Sequence, residues 1–160
     1  MTKIRWGLIG AGWIANKAIA PAMHAASGAI VQAVASRDPA RSRALNPVTV
    51  HESYEDLIND PTIDAVYLSL PNHLHCQWSV AALNAGKHVL CEKPFAMNAS
   101  EVDLMASAAR EHNRLIVEAV SPLWHPRMAR MIDYVRAGNI GKIISIDSSF
   151  TFPAEIAANY

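Results

Sequence analysis

Short apolar, β-branched runs alternate with longer stretches of helical period along most of this chain, and that alternation constrains its fold more than any other feature. The spacing predicts strands over residues 4–9, 30–35, 48–50, 65–70, 88–91, 115–119 and 143–152. Helices are expected over 13–26, 39–45, 54–59, 75–85, 100–112 and 126–137. Gly86 and Gly138 sit just past expected helix ends, and Asn98 or Ser100 is placed to cap the helix over 100–112. Most of the strands are apolar on both faces, as in a parallel sheet covered by helices on each side. Right-handed crossovers between such strands give a doubly wound α/β fold, the Rossmann arrangement. The run over 143–152 differs in kind, because Ile144, Ile146, Phe150 and Phe152 share one face while Ser145, Asp147, Ser149 and Thr151 share the other. It is expected to begin a second, α+β domain. The boundary falls near Ser121 and Pro122, giving domains over 1–121 and 122–160, the second apparently incomplete.

Composition narrows the function classes. The 160 residues are 51% hydrophobic and carry 14 Lys+Arg against 14 Asp+Glu, enough apolar content for a core and no net charge. No basic run supplies the phosphate-neutralising stripe of a nucleic-acid binder, and no stretch approaches the roughly 20 apolar residues of a spanning helix. Neither nucleic acid nor membrane is expected as a partner. Cys76 and Cys91 are too few for a disulfide framework and lack metal-ligand spacing, so both read as reduced core residues of a cytoplasmic protein. The seven histidines form no helical pair with a carboxylate partner, and no metal site is expected.

Gly10-Ala11-Gly12-Trp13-Ile14-Ala15 reads GxGxxA, directly after the first strand and at the start of the first helix. In that context the first glycine permits a tight turn, the second lets a pyrophosphate approach the backbone, and Ala15 lets helix and strand pack closely. The helix start then offers free N–H groups to phosphate. The second strand ends Ala35-Ser36-Arg37, with Arg41 one turn on, where an NAD-binding chain carries an acid for the ribose. Ser36, Arg37 and Arg41 suit a 2'-phosphate, which favours NADP over NAD. The alternative is that both arginines are solvated and Asp38 serves as the acid.

In open α/β sheets the ligand lies beyond the carboxyl ends of the strands. Leu70-Pro71-Asn72-His73-Leu74-His75 follows the fourth strand and Cys91-Glu92-Lys93-Pro94 the fifth. Lys93, partly desolvated beside a bound nicotinamide, is suited to donate or accept a proton, and the Lys93–Pro94 bond is a candidate cis peptide. The plainer reading makes Lys93 a surface lysine in a turn. His73 and His75 are placed either to cap the next helix or to face the ligand.

Taken with Gly86-Lys87-His88-Val89-Leu90-Cys91-Glu92-Lys93-Pro94, these motifs resemble the glucose-fructose oxidoreductase, inositol dehydrogenase and MocA family over nearly the whole chain. The Ser36-Arg37-Asp38-Pro39-Ala40-Arg41 segment is most similar to the NADP-dependent dihydrodiol and xylose dehydrogenase branch. The resemblance implies hydride transfer between NADP and a hydroxyl or carbonyl carbon of a sugar, polyol or cyclic diol. It makes Lys93 catalytic and sets Gly10, Ala11, Gly12, Trp13, Ile14, Ser36, Arg37, Arg41, Leu70, Pro71, Asn72, His75 and Glu92 along the cofactor. A homo-oligomer through the second-domain sheet is implied as well. The alternative is a catalytically silent NAD(P)-binding regulatory module. Three departures stand out: Leu123 replaces an arginine usual before the second domain, the link from Arg43 to Tyr54 is about one helical turn short, and the sequence stops at Tyr160.

Overall fold

The computed structural model describes residues 2–149 and 151, and the chain divides into two compact units, 1–120 and 121–160. The first unit is a six-stranded, all-parallel sheet in the order β3-β2-β1-β4-β5-β6. Its strands are β1 (Ile4–Ile9), β2 (Ala29–Ala35), β3 (Thr49–His51), β4 (Ala65–Leu68), β5 (His88–Cys91) and β6 (Ile116–Glu118). Between them run α1 (Ala20–Ala25), α2 (Pro39–Ala44), α3 (Tyr54–Asn59), α4 (His75–Asn84) and α5 (Ala99–Glu111).

Alternation along each strand builds two cores from neighbouring residues. Ile9, Ala33, Ala35, Val66 and Leu68 join Leu57, Leu83 and Met105 in one layer, while Leu8, Val34 and Tyr67 join Ala15, Ala20 and Met23 in the other. All four residues of β4 are buried, because a parallel sheet with helices on both faces leaves no wet side. Each fully buried Leu or Val contributes about 1.5 to 3 kcal/mol. Ser53 accepts from the Asp56 amide and Asn98 from that of Glu101, which starts α3 and α5 where the sequence offers caps.

Departures from the expected elements have local causes. The helix expected over 13–26 is helical over 13–25 but carries a π-helical turn at Ala15–Ile19, closed by the Ala20 amide on the Ala15 carbonyl. Pro21 follows at once. It has no N–H to give and its ring excludes the carbonyl one turn back, so a wider turn precedes it. The fourth strand ends at Leu68 rather than at residue 70, which releases Ser69 and Leu70 into the loop above the sheet.

The second unit holds a 3-10 turn at Ser121–Trp124 and α6 (Pro126–Arg136). Residues 143–149 form no strand, and Phe150 and Phe152 lie outside the described residues. A strand needs a neighbour to complete its hydrogen bonds, and among the described residues none runs beside this segment. Ile144 and Ile146 are 94% and 81% exposed.

Candidate functional site

The strand order reverses between β1 and β4, and the loops beyond their carboxyl ends form the crevice where doubly wound sheets take ligands. Gly10 holds this crevice open. Its φ is +94°, and a Cβ there would lie 2.6 Å from the Ser69 carbonyl oxygen, so no other residue fits without displacing backbone. The turn is tied on both sides, by the Gly10 amide to the Ala35 carbonyl and by the Ser69 hydroxyl to the Gly10 carbonyl at 3.1 Å. At Gly12 a Cβ would meet nothing closer than 3.9 Å, leaving its backbone approachable. Ala11 and Ala15 are buried in the core below, Ile14 is half-buried, and Trp13 stands 72% exposed beside the turn. A glycine cradle of this shape fits a pyrophosphate.

Beyond β2 the residues divide. The Ser36 hydroxyl donates to the Asp38 carbonyl at 2.7 Å, pairs with the Ser42 hydroxyl at 2.8 Å and accepts from the Asp38 amide. It closes the turn, and its hydrogen is committed within it. The Asp38 carboxylate caps α2 through the Ala40 amide, which occupies the alternative acid. Arg37 and Arg41 are exposed, and their guanidinium groups have no partner among the described residues.

The ends of β4, β5 and β6 bring the remaining candidates together. Pro71 and Asn72 are exposed at a 3-10 turn, Asn72–Leu74, and Leu70 is half-buried behind them. His75 is wholly buried. Its Nδ1 lies 2.8 Å from the Pro94 carbonyl and its Nε2 2.9 Å from the Leu70 carbonyl, so the ring braces two loops from within and lines no ligand surface. It does not cap α4 either, whose N-cap Leu74 makes no side-chain bond. The Glu92 carboxylate accepts from the Tyr67 hydroxyl at 2.8 Å and from the Lys93 amide at 3.2 Å. Burial first, and then the hydrogen bond to Glu92, push the Tyr67 phenol well above its ordinary range, which keeps it a donor. Lys93 is exposed and its ammonium is unpaired among the described residues, and the Lys93–Pro94 peptide is cis. Burial pushes the Cys91 thiol up to about 12, leaving it a core group rather than a nucleophile.

Tyr67, Ser69 and Glu118 were not picked out from the sequence. A tyrosine inside an apolar strand has to find a partner for its hydroxyl, and Glu118 ends a strand at the same sheet edge as Lys93. Those two signals were available.

The model of an oxidoreductase family with an NAD-binding Rossmann fold, Gfo/Idh/MocA, matches residues 4–119. The chain is 37% identical over 151 residues to D-xylose 1-dehydrogenase (NADP(+)) 2 of Haloferax volcanii, covering 92% of this chain and 46% of that protein. It is 32% identical over 155 residues to trans-1,2-dihydrobenzene-1,2-diol dehydrogenase of Mus musculus, covering 93% and 46%. Among solved structures, KijD10, a 3-ketoreductase of Actinomadura kijaniata in complex with NADP and TDP-benzene, superposes with a TM-score of 0.79 at 35% identity, over 86% of this chain and 43% of that one. The chain thus spans about half the length of the curated relatives it matches. With the glycine cradle at the switch point and the family model running from β1 through β6, the chain belongs to the Gfo/Idh/MocA oxidoreductase family, with its NAD-binding Rossmann fold.

Proposed function

We propose that residues 1–121 are the NADP-binding domain of an oxidoreductase that transfers a hydride between NADP and a hydroxyl or carbonyl carbon of a sugar, polyol or cyclic diol. Residues 122–160 begin its substrate domain. The observation that carries this reading is the Gly10 turn locked against Ser69, with the unpaired ammonium of Lys93 at a neighbouring strand end. The named activities of the two dehydrogenases and the 3-ketoreductase support it.

In this reading the backbone of Gly10, Ala11 and Gly12 and the helix start at Trp13 and Ile14 hold the pyrophosphate. Arg37 and Arg41 hold the 2'-phosphate as a pair of charge-assisted donors. When bound, NADP supplies the hydride acceptor or donor. Leu70, Pro71 and Asn72 line its path. Glu92, fixed by Tyr67, orients the turn, and Lys93 holds or moves the proton at the reacting oxygen of the substrate. The free cysteines and a chain whose described helices are all too short or polar to cross a membrane support a cytoplasmic setting. Exposed Ile144 and Ile146 support a homo-oligomer. Light scattering on the whole protein tests that.

Fluorescence titration with NADPH and NADH tests the cofactor. Contacts to the extra phosphate are worth roughly 1.5 to 3 kcal/mol each, so NADPH is expected to bind about tenfold or more tightly. Equal affinities overturn the assignment. For the reaction, NADPH absorbance is followed with aldoses, inositols and cyclic diols on the whole protein.

A further inference from the structure

The turn that carries Lys93 has no ladder to hold it. Residues 92–98 lie outside any strand or helix, so their backbone groups need other partners. One peptide unit, joining Pro94 to Phe95, is held at both of its polar ends. Its carbonyl faces His75 Nδ1 at 2.8 Å, and its N–H donates to Glu118 Oε1 at 2.9 Å. The two side chains come from different elements, His75 from the start of α4 and Glu118 from the end of β6. An oxygen accepting the amide and, in the Nδ1–H tautomer, a ring donating to the same unit's carbonyl polarise it in one sense, so each bond strengthens the other. On the near side of Lys93 its own amide rests on Glu92 Oε2. The lysine backbone is therefore hydrogen-bonded at its own amide and again at the Phe95 amide two residues on.

We propose that Glu118 is a positioning residue for Lys93, acting through the Phe95 amide. The assignment rests on the proposed role of Lys93 in proton transfer, and adds a group whose one carboxylate oxygen is engaged by the Phe95 amide. The property used is the acceptor oxygen and not the charge. Glutamine keeps that oxygen and alanine removes it, so the two variants separate the causes. His75 sits between this unit's carbonyl, 2.8 Å from Nδ1, and the Leu70 carbonyl, 2.9 Å from Nε2, with one N–H to give between them in the neutral ring.

The test uses the chain as it stands, with residue-resolved amide exchange at Phe95 and the NMR signal of Lys93 after 13C-dimethylation. In the unmutated chain the Phe95 amide should be protected; exchange as fast as in a free peptide overturns the proposal without any variant. Glu118→Ala should speed Phe95 exchange about tenfold to 100-fold and shift or broaden the Lys93 signal, and Glu118→Gln should leave both near their original values. In the whole protein, Glu118→Ala should lower kcat roughly tenfold with KM for NADP unchanged, and Glu118→Gln should restore it. An unmoved Lys93 signal in Glu118→Ala, or a Gln variant as impaired as the Ala variant, overturns the positioning role. A whole protein that turns over no sugar, polyol or diol strikes at the proposed function, while the exchange and Lys93 signals still decide the role of Glu118.

Discussion

The two edges of the sheet are both polar, but their polar groups are disposed differently. At the amino edge Arg5, Asp64 and Lys87 are all engaged. Arg5 grips Asp64 with two side-chain bonds, at 3.0 and 2.6 Å, and its amide adds a third at 2.8 Å. Lys87, only 7% exposed, donates to the carbonyls of Asp60 and Ile63 at 2.7 and 2.9 Å. At the carboxyl edge some side chains are spent on shaping loops, as with Ser36, Ser69, His75, Glu92 and Glu118. Others, Arg37, Arg41, Asn72 and Lys93, stand exposed and unpaired among the described residues. In the proposed reading the paired charges maintain the fold and the unpaired ones at the carboxyl edge meet the cofactor and substrate. If that division is right, substitutions at the carboxyl edge change affinity or turnover and spare stability, and those at the amino edge do the reverse.

The largest effect is expected at Lys93. In the whole protein Lys93→Ala should lower turnover by roughly 100-fold or more, with NADP affinity little changed, as for a group used in the transition state. Thermal unfolding should not move, because the ammonium contacts nothing described. Full turnover in this variant would make Lys93 an ordinary surface lysine in a turn, with the proton handled elsewhere. Lys87→Met is the mirror experiment. It strips a charged donor from two carbonyls in a buried setting, where such bonds are worth about 1.5 to 3 kcal/mol. A stability loss of about 2 kcal/mol is expected in a urea melt, with the NADPH titration unchanged. A loss of cofactor affinity at constant stability would break the division between the edges.

The sheet and its glycine turn are legible in the sequence because both depend on local pattern. Apolar runs at strand length, and glycines where a strand meets a helix, state their geometry within a few residues. The partners of polar side chains were not legible in this way. Ser36 and His75 stand where ligand residues stand, yet Ser36 closes on Asp38 and Ser42, and His75 points between two loops that meet only in the folded chain. Nothing within a few residues of His75 announces the Pro94 carbonyl, 19 positions on. The described part of the run, 143–149, is no strand for a related reason. Its alternation gives a strand two faces but cannot supply the neighbour that makes it one.

The Ser36 result sharpens the cofactor prediction. If the arginines alone read the 2'-phosphate, Arg37→Ala and Arg41→Ala should each weaken NADPH about tenfold and leave NADH unchanged. Ser36→Ala should weaken both cofactors alike, through the turn it closes, or neither. A loss confined to NADPH in Ser36→Ala would mean that the hydroxyl leaves Asp38 to meet the phosphate.

The smallest effect is expected at the Arg5–Asp64 pair, and pH gives it a direction. The side-chain bond from Arg5, opposed by partial burial, holds the Asp64 carboxyl below the ordinary aspartate range. A depressed carboxyl contributes stability above its unfolded value, about 4, and loses that contribution as pH falls through the lower folded value. Both side chains are more than a third exposed, at 42% and 37%, so water and salt screen much of the attraction. Asp64→Asn should therefore lower the melting temperature slightly at neutral pH, less than Lys87→Met does. The gap between the variant and the unmutated chain should begin to narrow as pH drops below about 4 and close only below the lower folded value, where both lack the charge. Added salt should narrow it as well. A gap that persists unchanged in acid would assign the stability to the shape of the Asp64 side chain rather than its charge, and the amino edge would then be held by packing and not by paired ions.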